Sequence, residues 1–372
     1  MELKGLEGVV KGRVLVVIMN KDNANGLKDT LYSLVRQLGS CVVCRCFDVL
    51  VIDGGSKDNS EEVVAEFSSK YPCIKFKVQE LKGGVGPARI EAVKYALDNG
   101  YDFIIWGDSE NIYSDNYISE MLNSVGDCDV TSGKPLMACS DVYSKLFFWY
   151  HAYHVMFKYV RRTHAPGNNK LVKASTYSKS TYLPIVRSDD FYFSVIALRK
   201  GIKYCYNNNA VVTVKLPSNW EGIKSWQRAR MYGSVQGAKL LGLKLPPDFI
   251  PWFLLALYPL YMVASLLLAL TPTTYAVGIA LLLALLAIPM YLAVKLYMLS
   301  KEVCIRRSAT TPLLGLIGMY LHSLFTTYYA IKFSIKYLRR EVSEELIEYF
   351  KYVDSRYGLT SIIKCRGSCH EF

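Results

Sequence analysis

Charge is missing from one long part of the sequence. No Lys, Arg, Asp or Glu occurs between Phe249 and Val294, although the 372-residue chain has 44 basic and 32 acidic residues. Thr271 and Pro272 interrupt this run, and each half is long enough to cross a bilayer core, which needs about 20 apolar residues. Soluble helices of that length without a charge are rare, so the sequence favours two membrane-spanning helices over a hairpin buried in a soluble core.

A second uncharged stretch, from Ser308 to Ile331, is more polar because it contains His322 and several Ser, Thr and Tyr residues. It predicts a helix that either spans the membrane or lies in it as an interfacial or re-entrant segment. Basic residues flank the stretch on both sides: Lys295, Lys301, Arg306, Arg307, Lys332, Lys336, Arg339 and Arg340. Since positive charge collects on the cytosolic side of membrane proteins, we favour two crossings and a third segment that does not cross.

The N-terminus lacks the pattern of a secretory signal peptide. Its apolar stretch, Val14 to Met19, is too short and begins too far into the chain. We therefore expect no membrane helix ahead of the first domain. The net charge of +12 is typical of proteins that handle anionic partners, whether nucleic acid, anionic lipid or a phosphorylated substrate.

The ten cysteines lack the spacing of a zinc ribbon. Cys41 and Cys44 form one Cys-x2-Cys pair, but no second pair follows at the required distance. The other interpretation is a group of buried or free thiols beside a strand. Disulfides inside a cytosolic domain would be unusual outside hyperthermophiles. The sequence leaves open the redox state of these cysteines, and of Cys365 and Cys369.

Residues 14 to 106 alternate between short apolar runs and amphipathic stretches. The apolar runs predict strands at 14–19, 47–52, 75–78 and 103–106. Helical spacing predicts one helix ending near Leu38, a second from about Ser60 to Lys70 and a third from Pro87 to Asn99. This order predicts an α/β fold with a mostly parallel sheet and helices on both faces, in which ligands bind at the carboxyl ends of the strands.

Acidic side chains follow two of these strands. Asp53 precedes two glycines, which allow the backbone to come close to a ligand, whereas Asp58 is better suited to capping the next helix. Asp108 and Glu110 follow the strand at 103–106, and their oxygens suit a divalent cation such as Mg²⁺ or Mn²⁺. The other interpretation of this second pair is an acidic turn that leads into a helix.

Together these segments resemble the inverting family 2 glycosyltransferases, which have the GT-A fold. The resemblance rests on VLVVIMNKDN, VLVIDGGSKDNS, KGGVGPARIEAVKYA and WGDSEN, in this order. It implies that Asp53 contacts the base of a nucleotide sugar and that Arg89 is the usual arginine of the donor site. It also implies that Asp108 and Glu110 hold the metal as a D-x-D motif with Glu in the second place.

Two further matches lie downstream. SDDFYFSVIALRKG is similar to the family's E-D motif, which places Asp190 on the catalytic Asp and Asp189 on the Glu. WQRARM is similar to the Q-x-x-R-W motif of membrane-bound members, so that Gln227 and Arg230 are expected to bind the donor. Met231 replaces the Trp of that motif, which weakens the inference of processive synthesis.

The resemblance implies a single displacement at the anomeric carbon. Asp190 would act as general base and remove the proton from the acceptor hydroxyl. A cation on Asp108 and Glu110, together with the guanidinium of Arg230, would stabilise the diphosphate leaving group. The sequence has no evident Ser or Cys nucleophile arrangement, which agrees with a reaction that forms no covalent intermediate.

We therefore expect a cytosolic GT-A domain over residues 1–247, membrane helices over 248–335 (about 249–270, 274–298 and 311–332) and a basic tail over 336–372. The expected partners are a nucleotide-diphosphate sugar, a lipid-linked or glycan acceptor, and membrane lipid. Nucleic acid is not expected, because the membrane spans and acidic strand ends argue against it. The alternatives are a processive polysaccharide synthase, a dolichyl- or polyprenyl-phosphate sugar synthase, and a membrane scaffold with a relic nucleotide-binding fold.

Overall fold

The computed structural model describes residues 12–38 and 41–363 of the chain. Their contacts divide them into two units. The first unit holds the chain up to Leu136, then Phe157–Lys215, and again the residues from Glu344 onward. The second unit holds Met137–Met156 and Leu216–Ser343.

Residues 12–38 and 41–363 form eight β-strands and fourteen α-helices, which are numbered here in chain order. The strands are β1 Val14–Asn20, β2 Phe47–Asp53, β3 Ile74–Val78, β4 Phe103–Asp108, β5 Ile112–Tyr113, β6 Val130–Leu136, β7 Lys170–Lys173 and β8 Tyr204–Thr213. The helices are α1 Ala24–Val35, α2 Ser60–Lys70, α3 Val85–Asp98, α4 Tyr117–Val125, α5 Val142–His151, α6 Tyr153–Met156, α7 Asp189–Leu198, α8 Trp220–Leu240, α9 Phe249–Ala256, α10 Tyr258–Leu270, α11 Tyr275–Val303, α12 Thr311–Lys336, α13 Arg340–Tyr357 and α14 Leu359–Ile363.

Strand β1 lies in the parallel part of the sheet of the first unit. All seven of its residues are buried, as expected for a strand covered on both faces. Its register pairs Asn20 with Asp53 of β2 and Met19 with Asp108 of β4. Both aspartates therefore lie at the carboxyl edge of the sheet, where the sequence predicted them.

The complete sheet has eight strands in the order β3-β2-β1-β4-β7-β6-β8-β5. Strands β3, β2, β1 and β4 pair in parallel, which confirms the prediction made for residues 14 to 106. Beyond β4 the sheet becomes mixed, since β7 pairs antiparallel with β4 and with β6, and β5 pairs antiparallel with β8. The short strand β7 thereby brings the loop that precedes it beside the end of β4.

The second unit is helical, and α12 packs against α5, α8, α9 and α11. Gly318 lets α12 approach α5, because a Cβ at this position would lie 1.7 Å from the carbonyl oxygen of Leu146. The sequence placed a domain boundary near residue 247, whereas α8 already belongs to this helical unit. The reason is the packing of α8 on α12, a contact between residues far apart in the sequence.

One helix in the described part of the chain, α11, is by itself long and apolar enough to cross a membrane. Only 6% of the residues in its most apolar window are buried, whereas the core helix of a soluble protein would be covered. Helices α9 and α10 meet at a bend of 50° and pass the same test when they are taken as one span. The 26-residue helix α12 is less apolar and is not among these candidates.

Eight cysteines form four disulfides: Cys41–Cys46, Cys44–Cys73, Cys128–Cys205 and Cys139–Cys304. The two members of the Cys-x2-Cys pair therefore belong to separate disulfides, and the zinc interpretation of this pair is wrong. Free thiols beside the strand are also excluded for these eight residues. Cys365 and Cys369 lie outside the described residues.

From Glu344 onward the chain returns to the first unit. Val353 and Leu359 are buried in the same apolar cluster as Trp106 of β4. The Tyr349 hydroxyl donates a hydrogen bond to the carbonyl of Lys82, in the loop before α3. The region expected as a basic tail is thus helical as far as Ile363 and completes the core of the first unit.

Candidate active site

Asp53 closes the turn that follows β2. Its Oδ2 accepts the backbone N–H groups of Gly55 (2.9 Å) and Ser56 (2.7 Å), while Oδ1 accepts the Nδ2 hydrogen of Asn20 (2.8 Å). Gly55 has a φ of +78°, a conformation that favours glycine. Asp53 is only 2% exposed, so the structure gives it a role in holding the turn. Its contact with a nucleotide base stays a prediction.

Asp58 behaves as expected for a structural residue. Its Oδ1 accepts the backbone N–H of Ser60 at 3.2 Å, which caps the first turn of α2, and Oδ2 accepts the N–H of Ala24 at 2.8 Å. The hydrogen bonds from Ser60 and Ala24 lower the pKa of Asp58 below its usual value. This carboxylate therefore ties the starts of α1 and α2 together.

Asp108 and Glu110 lie in a turn that neighbouring backbone holds in place. Ser109 donates its N–H to the carbonyl of Met19 at 2.9 Å, and Asn23 Nδ2 donates to the Ser109 carbonyl at 2.9 Å. Burial raises the pKa of Asp108. Burial and the charge of Asp108 raise the pKa of Glu110 to about 7. Both carboxylates thus lie where their ionised forms are poorly solvated.

This carboxylate pair fits the divalent cation that the family resemblance implies. Burial and mutual repulsion disfavour the ionised carboxylates, and a bound cation would relieve both effects. Residues 12–38 and 41–363 contain no group of three or more His, Cys, Asp or Glu side chains suited to a metal. Two protein carboxylates, with donor phosphates and water in the other positions, is a usual arrangement for Mg²⁺.

Arg89 on α3 forms an ion pair with Asp189 at the start of α7, with 2.5 Å between Nε and Oδ2. Both residues are buried, and the guanidinium lies 4.7 Å from the ring centroid of Trp106. Asp189 is therefore committed to Arg89, which fixes the first turn of α7. The role of Arg89 in binding a donor stays a prediction, because this guanidinium is 3% exposed.

Asp190, the next residue, points toward a more open region. Its Oδ2 accepts the N–H of Gly167 at 2.9 Å, and Oδ1 accepts the N–H of Phe191 at 2.9 Å. Burial would raise the pKa of Asp190, but the positive charges of His164, Lys170 and Arg89 outweigh it and lower the pKa below its usual value. An ionised carboxylate with 28% of its side chain exposed suits a general base.

Gly167 makes this arrangement possible. A Cβ at this position would lie 2.8 Å from Nη2 of Arg89 and 3.3 Å from Oδ2 of Asp190. The residue after Gly167 joins the loop to the acidic turn, since Asn111 Nδ2 donates to the Asn168 carbonyl at 2.6 Å. Sequence reasoning missed both residues. The Pro-Gly-Asn-Asn run at 166–169 was the available signal for a loop that approaches other groups closely.

The loop before α7 packs on the glycines that precede Arg89. Val85 donates its N–H to the Val186 carbonyl at 3.1 Å. A Cβ on Gly84 would lie 2.5 Å from that same carbonyl oxygen, so the close approach requires glycine. The loop presents Arg187, which is exposed and whose positive charge acts on both Asp108 and Glu110. Arg187 was not singled out from the sequence.

Lys170 is a second cation that sequence reasoning missed. It is 1% exposed, and its Nζ lies 4.9 Å from the ring centroid of Phe193. Burial, followed by the charge of Arg89, lowers the pKa of Lys170 to about 7. A lysine on β7 beside the buried end of β4 is difficult to predict, because only the antiparallel pairing of Trp106 with Lys170 brings it there.

Gln227 and Arg230 lie on α8 in the second unit. Arg230 Nη1 donates to Oδ2 of Asp248 at 3.0 Å, and Nη2 donates to Oγ1 of Thr326 at 2.5 Å. The Gln227 amide nitrogen lies 2.6 Å from Nδ1 of His322, the polar residue that stood out in the second uncharged stretch. These contacts hold the motif within the helical unit. Its contact with a donor stays a prediction.

Residues 14–169 match the protein family described as Glycosyl transferase family 2. An undecaprenyl-phosphate mannosyltransferase of Micrococcus luteus is 26% identical over 86 residues, which are 23% of this chain and 35% of that protein. The match thus spans about a third of the relative's length.

One solved structure agrees with the fold. The mannosyltransferase PcManGT from Pyrobaculum calidifontis, in complex with GDP-Man and Mn²⁺, superposes with a TM-score of 0.51 at 16% identity, covering 85% of this chain and 88% of that chain. TarS of S. aureus with UDP-GlcNAc covers 86% of this chain and 91% of its own, at 14% identity and a TM-score of 0.45.

The eight-stranded sheet has the GT-A fold, in agreement with the mannosyltransferase from Pyrobaculum calidifontis. Residues 14–169 match glycosyltransferase family 2, the family that the motifs resemble.

Proposed function

We propose that the chain is an inverting glycosyltransferase that moves a sugar from a nucleotide-diphosphate donor to a hydroxyl of a lipid-linked or membrane-proximal acceptor. The hydrogen bond between Asn111 and Asn168 carries the proposal. Asn111 ends the turn of Asp108 and Glu110, and Asn168 belongs to the loop whose backbone holds Asp190. An acidic pair suited to a cation and a carboxylate suited to a general base therefore share one region of the first unit.

Asp190 would take the proton in this reaction. The O–H bond of the acceptor breaks as its oxygen attacks the anomeric carbon, and the proton moves to the Asp190 carboxylate. The bond from that carbon to the diphosphate breaks at the same time, and the leaving oxygen keeps the electron pair. The attack comes from the side opposite the leaving group, which inverts the anomeric centre. The lowered pKa of Asp190 keeps its carboxylate ionised at neutral pH.

Asp108 and Glu110 would hold Mg²⁺ or Mn²⁺, which, when bound, neutralises negative charge on the leaving diphosphate. Arg187 supports the same task, because it is exposed and its charge already acts on both carboxylates. Asp189 and Arg89 keep the base in position through their buried ion pair.

The remaining donor contacts rest on the family resemblance. Asp53 is proposed for the nucleotide base, and Arg89, Gln227 and Arg230 for other parts of the donor. Each is tested by substitution to Ala and measurement of nucleotide affinity. Unchanged affinity in a folded variant removes that residue from the donor site.

The similar proteins suggest particular substrates. The structure from Pyrobaculum calidifontis contains GDP-Man and Mn²⁺, and the relative from Micrococcus luteus is named for mannose transfer to undecaprenyl phosphate. These names favour GDP-mannose as the first donor to test. They also support a second candidate function, in which the acceptor is a polyprenyl phosphate rather than a hydroxyl.

The fold supports an even number of membrane crossings. Phe157–Lys215 and the residues from Glu344 onward pack into the same unit, so they lie on the same side of any membrane. Helix α11 supplies one crossing, and the bent pair α9 and α10 supplies the other. Helix α12 then does not cross, which agrees with the basic residues that flank it on both sides. We therefore propose a multi-pass protein with two crossings.

The first unit is proposed to face the cytosol, where nucleotide sugars are available. Its three disulfides, Cys41–Cys46, Cys44–Cys73 and Cys128–Cys205, restrict this assignment. In hyperthermophiles structural disulfides persist in the cytosol. In other cells structural disulfides mark an oxidising compartment. Protease protection of the first unit in sealed inside-out vesicles would contradict the cytosolic orientation.

The first experiment measures thermal unfolding of the detergent-purified protein with GDP, UDP, GDP-mannose and UDP-N-acetylglucosamine, each with and without Mn²⁺. A ligand at 100 times its Kd stabilises the folded state by about 2.7 kcal/mol. We expect one nucleotide class to raise Tm, with a larger shift in Mn²⁺. Asp108→Ala should lose the dependence on Mn²⁺, whereas Asp115→Ala, at an exposed position on a nearby turn, should keep it.

Absence of stabilisation by every nucleotide, with and without Mn²⁺, would contradict the proposed function and favour a membrane scaffold with a relic fold. Transfer of mannose to a polyprenyl phosphate, but not to any hydroxyl acceptor, would favour the second candidate.

A further inference from the structure

His164 lies beside the proposed base and has no role in the reaction described so far. It follows a short 3-10 turn at Val160–Arg162, and its N–H donates to the Val160 carbonyl at 2.8 Å. Its Nε2 lies 4.0 Å from Oδ2 of Asp190, and 26% of the side chain is exposed. The imidazole is therefore fixed at one edge of the region that an acceptor would enter.

The hydrogen bonds around Ser194 are compatible with a proton on Nδ1 of His164. Ser194 Oγ lies 3.0 Å from the backbone carbonyl of Asp190, to which it can donate. In that arrangement Oγ can accept a hydrogen bond from Nδ1 of His164, 3.0 Å away. The relay requires this arrangement, because it leaves the lone pair of the neutral imidazole on Nε2, on the side of Asp190.

We propose that His164 Nε2 accepts from Asp190 the proton that Asp190 removes from the acceptor hydroxyl. This inference rests on the proposed function, because it assigns a second step to the same base. His164 acts through Asp190 and is a positioning and relay residue. The separation of 4.0 Å has to shorten by about 1 Å for direct transfer, or one water has to bridge it.

The step balances in protons and charge. The acceptor O–H bond breaks and an O–H bond forms on Asp190, while the leaving diphosphate departs with the electron pair of the glycosidic bond. The proton then moves from Asp190 to Nε2, which gives an ionised carboxylate and an imidazolium with Nδ1–H on Ser194. The imidazolium loses this proton to solvent, and its partial exposure permits that.

The groups around His164 act on its pKa in opposite directions. Burial lowers the pKa of His164, the carboxylate of Asp190 raises it, and Lys170 on β7 lowers it, with a net decrease. The lowered pKa of His164 favours the neutral ring, and the relay requires that form at the start of turnover. Asp190 also faces Asp189 on its own helix, Arg89 on α3 and Tyr204 on β8.

A proton relay has a consequence for the acceptor. A hydroxyl acceptor releases a proton that must leave the site, whereas a phosphate acceptor attacks with an oxygen that is already ionised. A base that passes its proton to a second group is useful only in the first case. The pair of Asp190 and His164 therefore favours a hydroxyl acceptor over a polyprenyl phosphate.

The first test does not depend on activity. The chain has five histidines, and NMR of ring-labelled histidine, with His164→Asn to assign the signal, reports the tautomer and pKa of His164. We expect Nδ1–H in the neutral ring. We also expect Asp190→Asn to lower the pKa of His164, because the negative charge that stabilises the imidazolium is gone. An Nε2–H tautomer, or a pKa that does not respond to Asp190→Asn, would overturn the proposal.

The second test uses turnover of GDP-mannose and UDP-N-acetylglucosamine in Mn²⁺, with water as the acceptor hydroxyl. His164→Asn keeps an amide N–H for Ser194 but cannot accept a proton. We expect kcat to fall about tenfold at unchanged KM, with recovery in added imidazole, as for loss of part of acid–base catalysis. A purely structural role predicts no recovery in added imidazole.

The two failures can be told apart. If wild type turns over a donor and His164→Asn matches it, the relay is wrong and the proposed function stands. If wild type turns over neither donor and no nucleotide stabilises it, the proposed function fails and the relay fails with it.

Discussion

The substitution Gly167→Ala tests the geometry of the active site most directly. The added methyl would lie 2.8 Å from Nη2 of Arg89 and 3.3 Å from Oδ2 of Asp190. Ordinary contacts of a Cβ begin at about 3.4 Å, and Arg89 is held by Asp189 and the ring of Trp106. Asp190 is the more exposed of the two groups, so it is expected to move by roughly half an ångström or more.

Two magnitudes follow from this crowding. A displacement of about 1 Å in a catalytic group costs about 100-fold in rate, so kcat should fall by 10- to 100-fold. Overpacking near a buried ion pair costs about 1–3 kcal/mol, which should lower Tm by several degrees. Donor affinity should change less than kcat, because Gly167 contacts the proposed base rather than the acidic turn.

The assay is steady-state release of nucleotide diphosphate, combined with thermal unfolding. Gly222→Ala is the matched control, because its new Cβ would lie 3.3 Å from Oδ1 of Asn219 and 3.4 Å from Cβ of Pro217, with no closer contact. If Gly167→Ala kept wild-type kcat and Tm, the close approach of Arg89, Gly167 and Asp190 could not be a requirement of the site.

Four further predictions follow. Asp190→Asn should lower kcat by about 100- to 10,000-fold and leave the Kd of the nucleotide unchanged in a binding assay. Lys170 has a pKa of about 7 in the folded protein, against 10.5 ordinarily. Between these pH values the unfolded chain binds one proton more than the folded protein, so the free energy of unfolding should rise with pH across that window. Denaturant unfolding at several pH values should show that Lys170→Met removes this rise. Cys128→Ser opens a disulfide with a sequence separation of 77 and should cost about 4.5 kcal/mol in denaturant unfolding, and a loss near zero would mean that this bond does not form in the protein. Thr326→Val removes the hydroxyl that accepts a hydrogen bond from Nη2 of Arg230 and should lower stability by about 1 kcal/mol, and unchanged Tm would contradict a contribution of this bond.

The carboxyl ends of the early strands could be predicted from the sequence. Apolar runs set the limits of β1, β2 and β4 to within two residues, and the rule for parallel sheets placed Asp53 and Asp108 at one edge. This reasoning works because a strand and the helix that follows it are close in the sequence, and a short apolar run is stable only when the sheet buries it. The division into α/β and helical parts was readable for a similar reason, since α11 has no charge until Lys295.

The groups around Asp190 were harder to predict from the sequence. His164, Gly167 and Lys170 lie in a loop and a short antiparallel strand, where no periodicity marks the side chains that point inward. The bond between Asn111 and Asn168 joins residues 57 positions apart and depends on β7 pairing with β4. A single sequence contains no signal for such a pairing.

The pairing of the cysteines could not be predicted from the sequence either. Their spacing suggested a metal pair or free thiols, whereas the actual partners lie 5, 29, 77 and 165 residues apart. Connectivity on this scale follows from the fold and cannot be deduced from spacing alone.

The return of the chain to the first unit at Glu344 has a consequence for biosynthesis. Val353 and Leu359 complete a core whose other members are made before residue 215, so the ribosome must first deliver the whole helical unit. At about 5–20 residues per second this takes on the order of ten seconds. The nascent first unit waits for that time with an open apolar face, while α9 to α11 are already leaving the ribosome. The apolar face against which Val353 and Leu359 pack therefore stays uncovered by its own chain until translation reaches α14.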